Sequence, residues 1–162
     1  MRIPGKLALT GAAVLTLGVA AAPAATALPS TDSLGPPPAG CAVDADRVAQ
    51  DTPPPEGMPT FEGWVVTDLA APCGNLGYIV LDTKGGTGSS PSAVLLYHRG
   101  TPTATQPEPG LPAEVTGSSG FHVVLQQWTA PPPGVPNADA PSRSTLFVWN
   151  PFAGDVAPIP LP

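Results

Sequence analysis

The chain is poor in most of the residues that carry chemistry. Its 162 residues include 2 histidines, 2 cysteines and 6 lysines and arginines against 12 acidic residues, with charged residues only 11% of the total. So few basic residues leave no clustered Lys or Arg to neutralise phosphates, which excludes nucleic acid as a partner, and an anionic membrane surface is excluded on the same ground. Two cysteines are too few for a cysteine-rich metal site. No Gly-x-Ser-x-Gly elbow follows residue 27, no Gly-Lys-Ser/Thr phosphate loop occurs, and no apolar run reaches the 18 or so residues of a membrane-spanning helix.

What is present begins with an export signal. Arg2 and Lys6 flank the start of the apolar run Leu7 to Val19, Pro23 closes it, and Ala25-Thr26-Ala27 fits the small-residue cleavage rule. Residues 1–27 therefore read as a cleaved signal peptide with Leu28 as the mature start. The mature chain then keeps Arg47, Lys84, Arg99 and Arg143 against all 12 acidic residues, a net charge of about −8. Outside the cytoplasm, the even pair Cys41 and Cys73 is expected to form a disulfide, closing a 32-residue loop and stabilising the fold by roughly 3–4 kcal/mol.

Pro and Gly clusters divide the rest. Residues 28–40 form a Pro-rich spacer, and residues 41–162 are long enough for one domain. Val43, Arg47 and Val48 recur at helical spacing between Cys41 and Gln50, with Asp44 and Asp46 early and Pro53 beyond, which predicts one short N-terminal helix. After Thr60 the pattern changes to short β-type runs. Strands are expected at Gly63–Leu69, Leu76–Asp82, Ala93–Arg99, Phe121–Trp128 and Ser144–Asn150, with a weaker one at Asp155–Ile159. The predicted fold class is α+β or mostly β: an antiparallel sheet of five to six strands with the one helix. The second strand, apolar on both faces, is expected to be central, and the first, fourth and fifth to line the same core. Residues 84–91 read as a Gly-rich hairpin loop. The Pro-laden segments 101–120 and 129–141 read as long loops interrupting the sheet, either functional or unstructured.

Four constellations could carry function. Gly85-Gly86-Thr87-Gly88-Ser89-Ser90 has the glycines and hydroxyls of a phosphate cradle, but it runs strand to strand with no helix N-terminus to receive an anion, and a hairpin turn accounts for it. His98 and His122, each beside an aromatic residue within a predicted strand, would be the bases of any hydrolase, with Asp82 or Ser92 as partners; cross-strand packing is the simpler reading. Asp44, Asp46 and Asp51 resemble a cation cluster, yet the spacing lacks the Gly and terminal Glu of a calcium loop and suits a solvated helix start. Trp64, Trp128 and Trp149, with Phe121 and Phe147, could form a stacking platform or plain core, of which core is the better reading. No catalytic residue, metal ligand or cofactor site is assigned.

From Cys41 onward the chain resembles the actinobacterial LppP/LprE lipoprotein family. The resemblance rests on Cys41 before a short helix, the segment Ala71-Pro72-Cys73-Gly74-Asn75-Leu76, the run from Gly85 through Leu95-Leu96-Tyr97-His98-Arg99-Gly100, the aromatic strand Leu146-Phe147-Val148-Trp149-Asn150 and the closing Ile159-Pro160-Leu161-Pro162. It implies an envelope protein without assigned catalytic residues, in which a Cys41–Cys73 bridge pins the helix to the sheet. No Cys follows the apolar run within residues 20–40, so the expected form is secreted and soluble rather than lipid-anchored on Cys41. The functional expectation is a non-enzymatic binding or interaction module for an unknown envelope component. The alternatives are a secreted hydrolase using His98 or His122, or a carrier of a small apolar ligand, which would need an open cavity between sheet and helix.

Overall fold

The computed structural model describes residues 38–129 and 139–162. The signal peptide, most of the spacer and most of the segment 129–141 lie outside the described residues. The described chain holds one helix, α1 (Ala45–Asp51), and eight strands: β1 (Trp64–Ala70), β2 (Gly77–Thr83), β3 (Ser92–His98), β4 (Thr101–Pro102), β5 (Ala113–Ser118), β6 (His122–Trp128), β7 (Ser142–Asn150) and β8 (Asp155–Leu161). They form two antiparallel sheets rather than the expected one, each a four-stranded meander in chain order, β1-β2-β3-β4 and β5-β6-β7-β8.

The helix starts where its sequence can cap it. Asp44 is extended and its carboxylate accepts from the Arg47 N–H at 3.1 Å, Asp46 lies in the first turn, and Thr52 ends the helix by donating to the Val48 carbonyl. Its apolar side (Ala45, Val48, Ala49) covers one face of the first sheet, against Ile79, Leu81, Ala93 and Tyr97. The opposite face of that sheet, Tyr78, Val80, Val94 and Leu96, packs on Val123, Leu125, Phe147 and Val156 of the second. The molecule is thus three layers, helix, sheet and sheet. β2 lies between β1 and β3 and is apolar on both faces for that reason. The expectation that the first, fourth and fifth predicted strands share a core holds only in part: β6 and β7 build the inter-sheet cluster, on which Ala70 of β1 packs, whereas Trp64 and Val66 of β1 join the helix-side one.

The two sheets repeat one another. Val66 pairs with Leu81 and Asp68 with Val80, a bulge at Thr67; in the second sheet Val115 pairs with Leu125 and Gly117 with Val124, a bulge at Thr116. Continuing across, Asp82 opposes Ser92 as Gln126 opposes Ser144, and Val80 opposes Val94 as Val124 opposes Leu146. The registers of β1–β3 and β5–β7 superpose residue for residue. In this correspondence Ile79, Leu81 and Tyr97, which face the helix, match Val123, Leu125 and Trp149, which face the first sheet. The sheets are therefore stacked front to back, not face to face.

Segment 101–120, expected as a long loop, carries β4 and β5 and crosses from one sheet to the other. Gly110 and Leu111 still bond to Ser92 of β3 before β5 begins. The β8 strand runs two residues past its expected end through Pro158 and Pro160, which an edge strand tolerates because proline positions two apart place both missing N–H groups on the same side of the ladder.

The expected disulfide is present. Cys41 and Cys73 are bonded with Cα atoms 6.0 Å apart, tying the entry to α1 to the β1–β2 turn. The β3–β4 turn lies under it: Arg99 and Gly100 both have positive φ, their N–H groups donate to Gly74 and Pro72 carbonyls, and a Cβ on Gly100 would sit 2.4 Å from the Cys41 sulfur. Gly77 is equally constrained, since a Cβ there would lie 2.1 Å from the Ala71 carbonyl oxygen.

Candidate functional site

The inward-facing rows of β2 and β3 end in a polar pair. One step past Val80 and Val94, Ser92 donates to the Asp82 carboxylate at 2.7 Å, across the strand pair that the register sets. Beyond them the β2–β3 loop and the crossing segment 110–114 leave a cleft of about 390 Å³, to whose lining Asp82, Ser92, Thr87, Ser90, Glu114 and Trp128 contribute. That volume falls within the roughly 300–1,000 Å³ of small-molecule sites. No Lys, Arg or His lines it.

The Gly-rich loop forms one wall as a hairpin connection. Its amides bond internally: Gly86 donates to the Thr83 carbonyl, Ser90 to the Thr87 carbonyl, and Thr87 to the Ser90 hydroxyl at 2.8 Å. Donors turned inward in this way, beside two carboxylates, do not make an anion cradle.

The hydrolase constellation does not assemble. Ser92 and His98 occupy opposite ends of β3, six residues and so about 20 Å apart along the strand. His122 opens β6, while Trp128 at the other end of that strand reaches the cleft. His98 Nδ1–H donates to the Asn75 carbonyl, and its ring stacks on Trp149 with centroids 3.6 Å apart and planes within 6°. His122 is held by Ser119, whose Oγ lies 2.8 Å from Nδ1 in the β5–β6 turn. Ser119 was not singled out by the sequence. Its proximity follows from the turn, in which Ser119 N–H also donates to the His122 carbonyl. Among the described residues no carboxylate bonds either histidine, so no orienting acid completes a Ser-His-acid set.

The tryptophans are dispersed rather than gathered on one face. Trp149 packs on the inter-sheet core, Trp128 lines the cleft, and Trp64 packs edge-on to Phe61 with centroids 5.0 Å apart and donates to the Pro53 carbonyl at 3.0 Å. Phe147 is buried, whereas Phe121 is exposed at the turn before β6. Trp64 and Phe61 border a second, wider groove of about 680 Å³ between α1 and β1, shared with Val65, Val66, Ala49 and Lys84. Asp44 and Asp46 serve the helix start, and Asp51 pairs with Arg47 at 3.4 Å on the exposed side. Among the described residues no group of three or more His, Cys, Asp or Glu is placed to hold a metal, and no helix is long and apolar enough to cross a membrane.

Two tyrosines titrate above their usual range, at the same end of the β2–β3 pair but on opposite faces of the sheet. Burial raises Tyr78 first, helped by its hydrogen bond and charge interaction with Asp68, to which the hydroxyl donates at 2.8 Å; burial alone raises Tyr97. Both are neutral packing groups at physiological pH. Compared with protein-family models, with curated proteins and with solved structures, the chain matches none of them.

Proposed function

We propose that this protein is an extracytoplasmic binding module that takes a hydroxyl-rich, uncharged ligand, such as a saccharide, in the cleft between the β2–β3 loop and segment 110–114. The observation that carries this reading is the lining. A partly exposed indole, two carboxylates and several hydroxyls converge where the cores end, with no cation to attract phosphate. Carboxylates and hydroxyls accept and donate to sugar hydroxyls, and an aromatic side chain packs on their C–H surfaces. Catalysis is disfavoured by distance, since the only histidines stand at the far end of their strands from Asp82 and Ser92.

The compartment rests on separate support. The apparent signal peptide, the disulfide and the resemblance to envelope lipoproteins agree with export. A Cys41 sulfur bonded to Cys73 has no valence left for a lipid thioether, which favours the released form over the anchored one.

Titrating the oxidised protein, residues 28–162, with cellobiose, maltose and N,N′-diacetylchitobiose, and separately with inorganic phosphate, tests the site. Saturable NMR shifts of the Trp128 indole and of Gly88 and Ser90 amides are expected with at least one glycan, weakened about tenfold or more by Trp128→Ala, and none with phosphate. Unmoved cleft resonances throughout, together with hydrolytic turnover that His98→Ala or His122→Ala removes, would establish the hydrolase instead. A second reading, an apolar carrier, has one observation in its favour: the groove beside Phe61 and Trp64 lies between helix and sheet, where such a cavity was required.

A further inference from the structure

We infer that the open edge of β1, with the groove between it and α1, is a docking site for an extended basic peptide segment, separate from the saccharide cleft. The edge follows from register. Lys84 N–H donates to the Gly63 carbonyl, so the bonded pairs of this ladder alternate from Gly63 to Val65, and Trp64 and Val66 turn their own N–H and C=O groups away from β2. β1 is the last strand of its sheet, and among the described residues no hydrogen bond reaches those groups. β8, at an edge of the other sheet, carries Pro158 and Pro160, which cannot donate, whereas β1 has no proline. The bulge at Thr67 ends the regular stretch, so an added strand pairs with residues 64–66.

An antiparallel strand added there sets its residues opposite Trp64 and Val66 on the same face as those two side chains, which is the helix side. That face borders the groove of about 680 Å³, where Phe61, Trp64 and Val66 supply apolar wall and Asp46 and Glu62 supply charge. Alternate side chains of the peptide therefore meet a channel that is both aromatic and acidic. Lysine and arginine suit it: their methylene stems cover apolar surface while their heads reach carboxylates, and a cation over an indole is drawn to the ring face. Main-chain bonds along the edge and side-chain pockets beside it are the two parts of recognition by strand addition.

Charge decides the chemistry of the occupant. The chain that frames the groove, residues 42–63, holds Asp44, Asp46, Asp51, Glu56 and Glu62, all exposed, against Arg47, which Asp51 engages. Five of the chain's 12 acidic residues thus fall in this one stretch, so its acidity is concentrated where the edge is open. Lys84 is the one base in the groove lining and leaves the balance negative. A second copy of this acidic chain is repelled from such a rim, whereas a basic segment is steered to it. An uncharged apolar ligand would use the aromatic wall but gain nothing from Asp46 and Glu62.

Titrating the oxidised chain 28–162 with the peptide acetyl-Lys-Val-Lys-Thr-Lys-Val-Lys-amide tests this. Saturable NMR shifts of the Trp64 and Val66 amides and the Trp64 indole are expected, with a dissociation constant below about 1 mM that weakens about fivefold or more between about 50 and about 500 mM salt. Asp46→Asn and Glu62→Gln, at exposed positions where folding is least at risk, should each weaken binding about threefold. Asp139→Asn, an equal change of charge ahead of β7, should leave it unchanged. N-methylating the peptide's lysine amides, whose N–H groups face β1 in this register, should abolish binding, whereas N-methylating its valine and threonine amides should not. No saturable shift, equal weakening by Asp139→Asn, or indifference to lysine N-methylation overturns the inference. Tighter binding of 1-decanol at the same residues also overturns it, in favour of the apolar carrier. Glycan titration of the cleft is read separately at Trp128 and Gly88, so either site can fail alone.

Discussion

At the scale of single residues, Asp155 shows most clearly how a side chain can join layers. Its carboxylate starts β8 in the second sheet, yet accepts from the Thr105 hydroxyl at 2.7 Å and from the Ala104 and Thr105 N–H groups that follow β4 of the first. These bonds, the Thr105 hydroxyl's foremost, hold its pKa below the usual carboxylate range. A group whose pKa is lowered in the fold adds stability above its unfolded value near 4, and that stability is lost as the pH falls through the lowered one. Asp155→Asn should therefore destabilise the protein at pH 7 and flatten the acid limb of its stability curve, with little difference from wild type at pH 2, as urea midpoints across pH would show. A midpoint difference that persists undiminished at pH 2 would contradict this assignment. None of this was legible in the sequence, where Asp155 is merely the first residue of a weak strand. Asp82 and Ser92 were legible as neighbours of interest, but as catalytic partners for distant histidines rather than as a cross-strand pair. Pairing is a property of register, and a one-dimensional pattern does not display it.

At the scale of elements, the first sheet replaces an edge with a side chain. β4 is two residues long, so β3 would present an unpaired edge beyond it. Thr103 donates to the Leu96 carbonyl, and Gln106 completes the pairing with its amide: Leu96 N–H donates to Gln106 Oε1 at 2.7 Å while Gln106 Nε2 donates to the Leu96 and Thr103 carbonyls. Gln106→Ala should cost about 1–3 kcal/mol by leaving those groups without partners, and Gln106→Glu at least as much, because a carboxylate would face two carbonyls. Equal denaturant midpoints for all three proteins would show the clip to be idle. The six strands expected from hydrophobic runs all form, with boundaries displaced by one or two residues, because Val, Ile, Leu and aromatic residues flanked by Gly and Pro are direct signatures of half-buried strands. The two missed strands lack that signature. β4 is a Thr-Pro dipeptide, and β5 (AEVTGS) has one large apolar residue, a bulge and a glycine. The missed pair also turns one sheet into two.

At the scale of the whole molecule, the repeat escaped the sequence for a related reason. Equivalent strands are separated by unequal stretches of chain, since the connections differ in length, so there is no fixed period to detect. What survives is register and a bulge at a Val-Thr step in each half, at Thr67 and Thr116. Burial then grades the layers. Ile79 and Leu81 of β2 have no exposed surface and sit between helix and second sheet, while most of β8 is open to solvent. Native-state hydrogen exchange should show β2 amides as the slowest in the molecule and those of β8 among the fastest of the strands; the reverse order would mean that the second sheet, not the first, is the stable unit. The sequential strand order has a consequence in time as well. Every strand pair of the first sheet, and both cysteines, are complete before β5 begins, so a chain emerging N-terminus first can close its bridge and pair β1 to β4 while the rest is still being delivered. During that interval Tyr78, Val80, Val94 and Leu96 stand bare to water, and the arrival of the second meander is the event that shields them.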